Sequence, residues 1–155
     1  MKKILLTAII ACFGFGVASA QDPGQWAVGP RLNIYTNAGA QGALLGIGAV
    51  GRYSFNEHWR VEPAITALCH RGCSFDFNAD VHYRFDLTQE WAVYPAVGLS
   101  ANDIGSWSCG INIGAGTDLV VTDRWDVTAG VKWMLQTADF HRNPIVVTVG
   151  AVYKF

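Results

Sequence analysis

The chain has 155 residues, room for one domain. Apolar residues make up 51% of it and charged residues 15%, a lean share for a water-soluble protein. The formal charge of −1 leaves no basic footprint, which argues against nucleic acid as a partner.

Met1–Lys2–Lys3 precedes an apolar run from Ile4 to Val17, and Ala18–Ser19–Ala20 comes next. A charged start, an apolar middle and an A-x-A site make a secretory signal. Residues 1–20 are therefore expected to be cleaved, with 21–155 forming the domain. Loss of Lys2 and Lys3 leaves nine basic and 12 acidic residues, a net charge of −3. Ile10–Ala11–Cys12 offers a rival reading, the end of a lipobox that would tether the chain at Cys12. The apolar stretch before Cys12 is short for that role. Beyond the signal no apolar run is long enough for a transmembrane helix.

From residue 25 onward, apolar and polar residues alternate with a period of two. Strands are predicted near 25–36, 43–55, 59–69, 73–85, 91–101, 107–121, 125–136 and 144–155. They are long against the usual five or six residues of a globular strand. In chain order one face reads Trp26, Val28, Pro30, Leu32, Ile34, then Leu45, Ile47, Ala49, Gly51, Tyr53, Phe55. Later strands continue with Trp59 to Ala67, Phe75 to Phe85, Trp91 to Leu99, Trp107 to Leu119, Trp125 to Leu135 and Ile145 to Phe155, at every second position. No residue of that face is charged. The opposite face carries Arg31, Arg52, Arg60, Glu62, Asp76, Asp80, Arg84, Asp118, Asp126, Lys132 and Lys154, with many glycines between them.

Two closed barrels fit an all-apolar face. A lipocalin-like barrel would turn it inward around a ligand; a transmembrane barrel would turn it to lipid, where a midplane charge costs about 2–4 kcal/mol. Aromatic positions favour the second. Trp26, Tyr53, Phe55, Trp59, Tyr83, Phe85, Trp91, Trp125, Tyr153 and Phe155 gather at one end, beside the short connections 56–58, 86–90 and 122–124. Membrane–water interfaces favour such a girdle. The expected fold is an all-β, eight-stranded antiparallel up-and-down transmembrane β-barrel.

The signal at Met1–Ala20, the eight alternating segments, the three short turns and the terminal Tyr153–Lys154–Phe155 resemble the small bacterial outer-membrane barrels of the OmpA and OmpX type. The resemblance implies an outer-membrane location among lipids and lipopolysaccharide. It also implies a monomer whose C-terminal strand is read by the barrel-assembly machinery. It implies a structural or porin-family protein rather than an enzyme, with no cofactor.

Eight strands leave an interior just wide enough for side chains. Hairpin register places Arg52 opposite Glu62, Glu62 opposite Asp80, and Arg60 opposite His82, with Arg84 diagonally near. Arg52, Arg60, Glu62, Asp80 and Arg84 are thus expected to form an ion-pair plug, in which losing Arg52 costs more than losing Glu62. Glu62 and Asp80 as an acid–base pair is the other reading of the same row. The inward glycines leave a narrow wet passage open as an alternative, and with it a diffusion channel. Ser74 and His70 lie close in sequence but lack an acyl-transfer motif, which sets a lipid-modifying enzyme further back.

His58, His70, His82 and His141 are too scattered for metal-ligand spacing, so no metal is expected. In Cys69–His70–Arg71–Gly72–Cys73, Gly72 suits the left-handed position of a three-residue hairpin loop. The two cysteines would then face each other, and an oxidising compartment favours a disulfide between them. A zinc site using His70 is the alternative, and Cys109 is left unpaired.

Overall fold

The computed structural model describes residues 23–38, 42–70, 72–104, 106–137 and 143–155. The signal expected at residues 1–20, with Cys12, lies outside the described residues, as do Arg71 and His141. The strands are β1 (Trp26–Thr36), β2 (Leu44–Ser54), β3 (Trp59–His70), β4 (Gly72–Tyr83), β5 (Trp91–Asn102), β6 (Ser108–Thr122), β7 (Trp125–Gln136) and β8 (Ile145–Lys154). A two-residue segment, Phe85–Asp86, carries β4 past an interruption at Arg84 and pairs with β5.

Each strand pairs antiparallel with its chain neighbour, and β1 pairs with β8 to close the cylinder. Closure leaves no edge strand with unpaired backbone groups. Burial follows the period of two. In β4 the buried residues are Ser74, Asp76, Asn78, Asp80 and His82, while Phe75, Phe77 and Val81 are exposed.

The three short turns share one device. Asn56 Oδ1 accepts from the N–H groups of His58 and Trp59, at 3.0 and 2.7 Å. Thr88 Oγ1 does the same for Glu90 and Trp91, and Thr122 Oγ1 for Arg124 and Trp125. The side-chain oxygen stands in for a backbone turn acceptor. The pattern is an Asn or Thr three residues before a tryptophan that opens the next strand. It sets three tryptophans at a common level, the turn end of the barrel.

At the opposite, loop end an apolar cluster points inward beside the polar residues Ser74, Asn102 and Ser108. Tyr35, Ala38, Leu44, Leu68, Met134 and Val146 form a buried cluster, with Ile104 packed against it. A smaller cluster of Ala27, Val50 and Val152 lies toward the turn end, on β1, β2 and β8. Polar residues fill the space between them.

Candidate functional site

The centre of the interior is a chain of five charged side chains. Glu62 on β3 accepts hydrogen bonds from Arg31 of β1 and from Arg52 Nε of β2, the latter at 2.6 Å. Arg52 reaches across the barrel to Asp118 Oδ1 on β6 at 3.3 Å and to Thr128 Oγ1 on β7 at 3.4 Å. Arg60 of β3 donates to the other oxygen of Asp118. Arg52, Arg60, Glu62 and Asp118 are all at most 2% exposed, so these charges depend on each other rather than on water.

Tyr94 on β5 packs against this chain. Its ring stacks on His82 at 4.4 Å, the Arg60 guanidinium lies 4.3 Å from its centroid, and its hydroxyl is 3.1 Å from Thr128 Oγ1. Arg60 Nε donates to His82 Nδ1 at 3.1 Å, so that nitrogen is an acceptor and the imidazole is neutral. The 4.0 Å approach of His82 to Glu62 is therefore not an ion pair.

Asp80 departs from the expected row. Its backbone faces Glu62, but its carboxylate is held by Lys132 Nζ at 3.0 Å and Asn112 Nδ2 at 2.9 Å, from β7 and β6. Lys132 also donates to Asn78 at 2.8 Å. Arg84 is likewise elsewhere, paired with Asp86 at 2.7 Å at the turn-end rim. Glu62 and Asp80 thus belong to separate groups, each with its own cations, which removes the basis for an acid–base pair. A cavity of about 20 Å³ lies between the groups, bordered by Arg31, Glu62, Asp80, His82, Tyr94 and Lys132. That is room for a single water. Near the apolar cluster, Asp76 accepts from the Tyr35 hydroxyl at 2.7 Å and Asn78 Nδ2 at 3.0 Å. Near the turn end, Lys154 pairs with Asp126 at 2.8 Å.

The outside is the reverse of this. Leu99 is 67% exposed, Ile47 58% and Ile113 51%, all within strands. Apolar surface faces out and charge faces in, which rules out the lipocalin-like arrangement.

Comparison with protein-family models and with curated proteins finds no match. Solved structures do match in shape. The N-terminal β-barrel domain of OprF from Pseudomonas aeruginosa aligns with TM-score 0.70 at 15% identity, over 87% of this chain and 100% of that one. The outer membrane protein OprG from the same organism aligns with TM-score 0.67 at 12% identity, over 90% and 99%. A de novo designed transmembrane β-barrel aligns with TM-score 0.64 at 12% identity, over 87% and 98%. The chain has the fold of a small eight-stranded outer-membrane β-barrel.

On this barrel the turn-end aromatics touch in runs. Trp26, Tyr53 and Phe55 succeed one another at centroid distances of 4.7 and 5.1 Å. Trp59, Tyr83 and Phe85 do so at 5.0 and 4.8 Å, and Trp125, Tyr153 and Phe155 at 5.2 and 5.3 Å. Trp91 is exposed at the start of β5. Arg124 Nη1 donates to the Tyr153 hydroxyl at 3.0 Å, tying the ring to the polar turn. The loop end carries outward aromatics too, at Phe75, Trp107 and Trp133.

Cys69 and Cys73 face each other across β3 and β4, exposed and with free thiols, and Cys109 is exposed on β6. The β3–β4 connection is tighter than a three-residue loop, because His70 and Gly72 are themselves paired. Among the described residues, no group of three His, Cys, Asp or Glu side chains is placed to hold a metal.

At two inward glycines a neighbouring strand already occupies the space a side chain would take. A Cβ at Gly116 would lie 2.4 Å from the Tyr94 hydroxyl, and one at Gly98 would lie 2.2 Å from Asp80 Oδ1. Glycine at 116 lets the Tyr94 ring lie against the wall, and glycine at 98 lets the β4 backbone and the Asp80 carboxylate come close. Gly116→Ala is expected to displace Tyr94 from His82 and Arg60, at about 1–3 kcal/mol of barrel stability. The urea midpoint in detergent micelles measures it, with Gly51→Ala, a strand site where an added Cβ meets only Pro63 Cγ at 3.7 Å, as the control for backbone effects.

Proposed function

We propose that the chain spans the bacterial outer membrane as a closed, non-enzymatic barrel of structural or porin-family type. Its outward residues would face lipid, with the turn end toward the periplasm and the loop end outward. The observation that carries closure is the Arg31–Glu62–Arg52–Asp118–Arg60 chain, which crosses the interior from β1 to β6. The apolar cluster around Tyr35 and Met134 supports it from the loop end, since an apolar constriction also resists ions. The outward alternation of β8, with Tyr153 and Phe155 on one side, supports this strand as the one the assembly machinery reads.

Two measurements test this reading. Cell fractionation should recover the chain in the outer membrane. Purified protein in planar bilayers should give no steady conductance comparable with a general porin. Sustained porin-like currents would reject the closed interior while leaving the location intact.

A further inference from the structure

Cys69 and Cys73 pair at the loop end of the β3–β4 ladder, and hydrogen-bond parity fixes their geometry. The Arg84 N–H donates to the His58 carbonyl at 2.7 Å, and these two residues lie opposite each other just below the β3–β4 ladder. Residues 58 and 84 are therefore a hydrogen-bonded pair. The register then runs unbroken from Trp59 opposite Tyr83 to His70 opposite Gly72. Hydrogen-bonded and non-hydrogen-bonded pairs alternate along an antiparallel ladder. Counting up from residue 58, Cys69 and Cys73 fall on a non-hydrogen-bonded pair.

The neighbouring ladder agrees. The Asp103 N–H donates to the Phe75 carbonyl at 3.2 Å, so the backbone of Phe75 points to β5 and not to β3. Phe75 with Ala67 is then a non-hydrogen-bonded pair, and Cys73 with Cys69 is the next of the same kind. In such pairs the Cα atoms stand about 4.5 Å apart and the side chains approach most closely. Disulfides span Cα separations of about 4.4–6.8 Å. Both thiols are on the outward face and exposed, where an oxidant can reach them.

We propose that Cys69 and Cys73 are a disulfide site that closes the β3–β4 connection covalently. The oxidant is a protein disulfide met outside the cytoplasm. One cysteine thiolate attacks that disulfide to form a mixed disulfide, and the second displaces it to form Cys69–Cys73. Two electrons and two protons leave the chain, and the oxidant departs as a dithiol. Cys109 is not a competing partner. It faces Ala101, which faces Phe77, so it lies two strands from β4 and four residues below Cys73. That offset is about 10 Å across and about 13 Å along the sheet.

The test uses the full chain refolded in detergent micelles in a glutathione redox buffer, then alkylated and digested with trypsin. Cleavage after Arg71 separates the peptides 61–71 and 72–84, which carry Cys69 and Cys73. They are expected to travel together until reductant is added, two hydrogen atoms lighter than their sum. In Cys69→Ser, peptide 72–84 should carry the alkyl label. Separate alkylated peptides from the wild-type chain, before reduction or after chelation alone, would overturn the proposal. This arm does not depend on where the chain resides, so its failure is distinct from failure of the outer-membrane reading.

Discussion

Replacing Glu62 by alanine is expected to cost about 3–5 kcal/mol of barrel stability, because it strands buried charge. The reason is the charge count around it. Arg31, Arg52 and Arg60 share Glu62 and Asp118, three cations with two anions. Without Glu62 the three guanidinium groups are left with Asp118. Arg52→Met removes the middle cation instead. It leaves Arg31 with Glu62 and Arg60 with Asp118, two matched pairs. Its cost should be the smaller, about 1–3 kcal/mol for the lost hydrogen bonds. This order reverses the one that hairpin register suggests, where Arg52 stands between Glu62 and Asp80. Lys132 takes Asp80 out of that row, and Arg31 adds a cation to it. Urea unfolding of both variants in micelles, tracked by tryptophan fluorescence, measures the difference. A larger loss from Arg52→Met would defeat the charge-counting argument. In the double variant the two costs should fall short of their sum, since both residues belong to one network.

The strands were legible in the sequence because outward apolar and inward polar or small residues alternate over long runs. The predicted segment 125–136 coincides with β7, and most other boundaries lie within a residue or two. Arg84 is an exception, since the predicted strand 73–85 breaks there. The repeat Asn56–Trp59, Thr88–Trp91 and Thr122–Trp125 was also present in the letters. It passes unnoticed because an Asn and two Thr do not look alike until their oxygens are seen accepting the same two N–H groups. The interior was harder. Register relates adjacent strands, whereas Arg52 crosses from β2 to β6 and Lys132 from β7 to β4. Those contacts depend on closure of the cylinder and on side-chain length, which no pairwise register contains. Tyr94 was missed for a related reason. Its partner space is the absence of a side chain at Gly116, and an empty position carries no periodic signal. The apolar cluster at the loop end was hidden as well. Tyr35, Leu44, Leu68 and Val146 adjoin outward apolar residues, so both faces read alike there.

Val131→Arg should cost about 2–4 kcal/mol of stability in lipid vesicles, the depth-dependent cost of a cation on the lipid side of a barrel. Val131 is 48% exposed on the outer face of β7, between Ala115 of β6 and Val147 of β8. It lies six residues from Trp125, which opens β7 at the turn end. With a rise of about 3.4 Å per residue and a strand tilt of about 40°, that is about 15 Å above the girdle. The apolar band of such barrels is about 25 Å tall, so Val131 falls close to its middle. An arginine there has no interior carboxylate to meet, because its side chain points away from Asp80 and Asp118. It must snorkel past a dozen or so ångströms of hydrocarbon or draw water in. Val121→Arg is the control. Val121 is 57% exposed at the register shift that ends β6, and it adjoins the polar turn Thr122–Arg124. A cation at that level reaches the interface and should cost no more than about 1 kcal/mol. Both variants keep the interior network intact, so any difference between them reports depth alone. Unfolding free energies in phosphatidylcholine vesicles give the comparison. Equal costs at the two positions would mean that the outward face does not meet a hydrocarbon layer, and the membrane-spanning reading would fall with it.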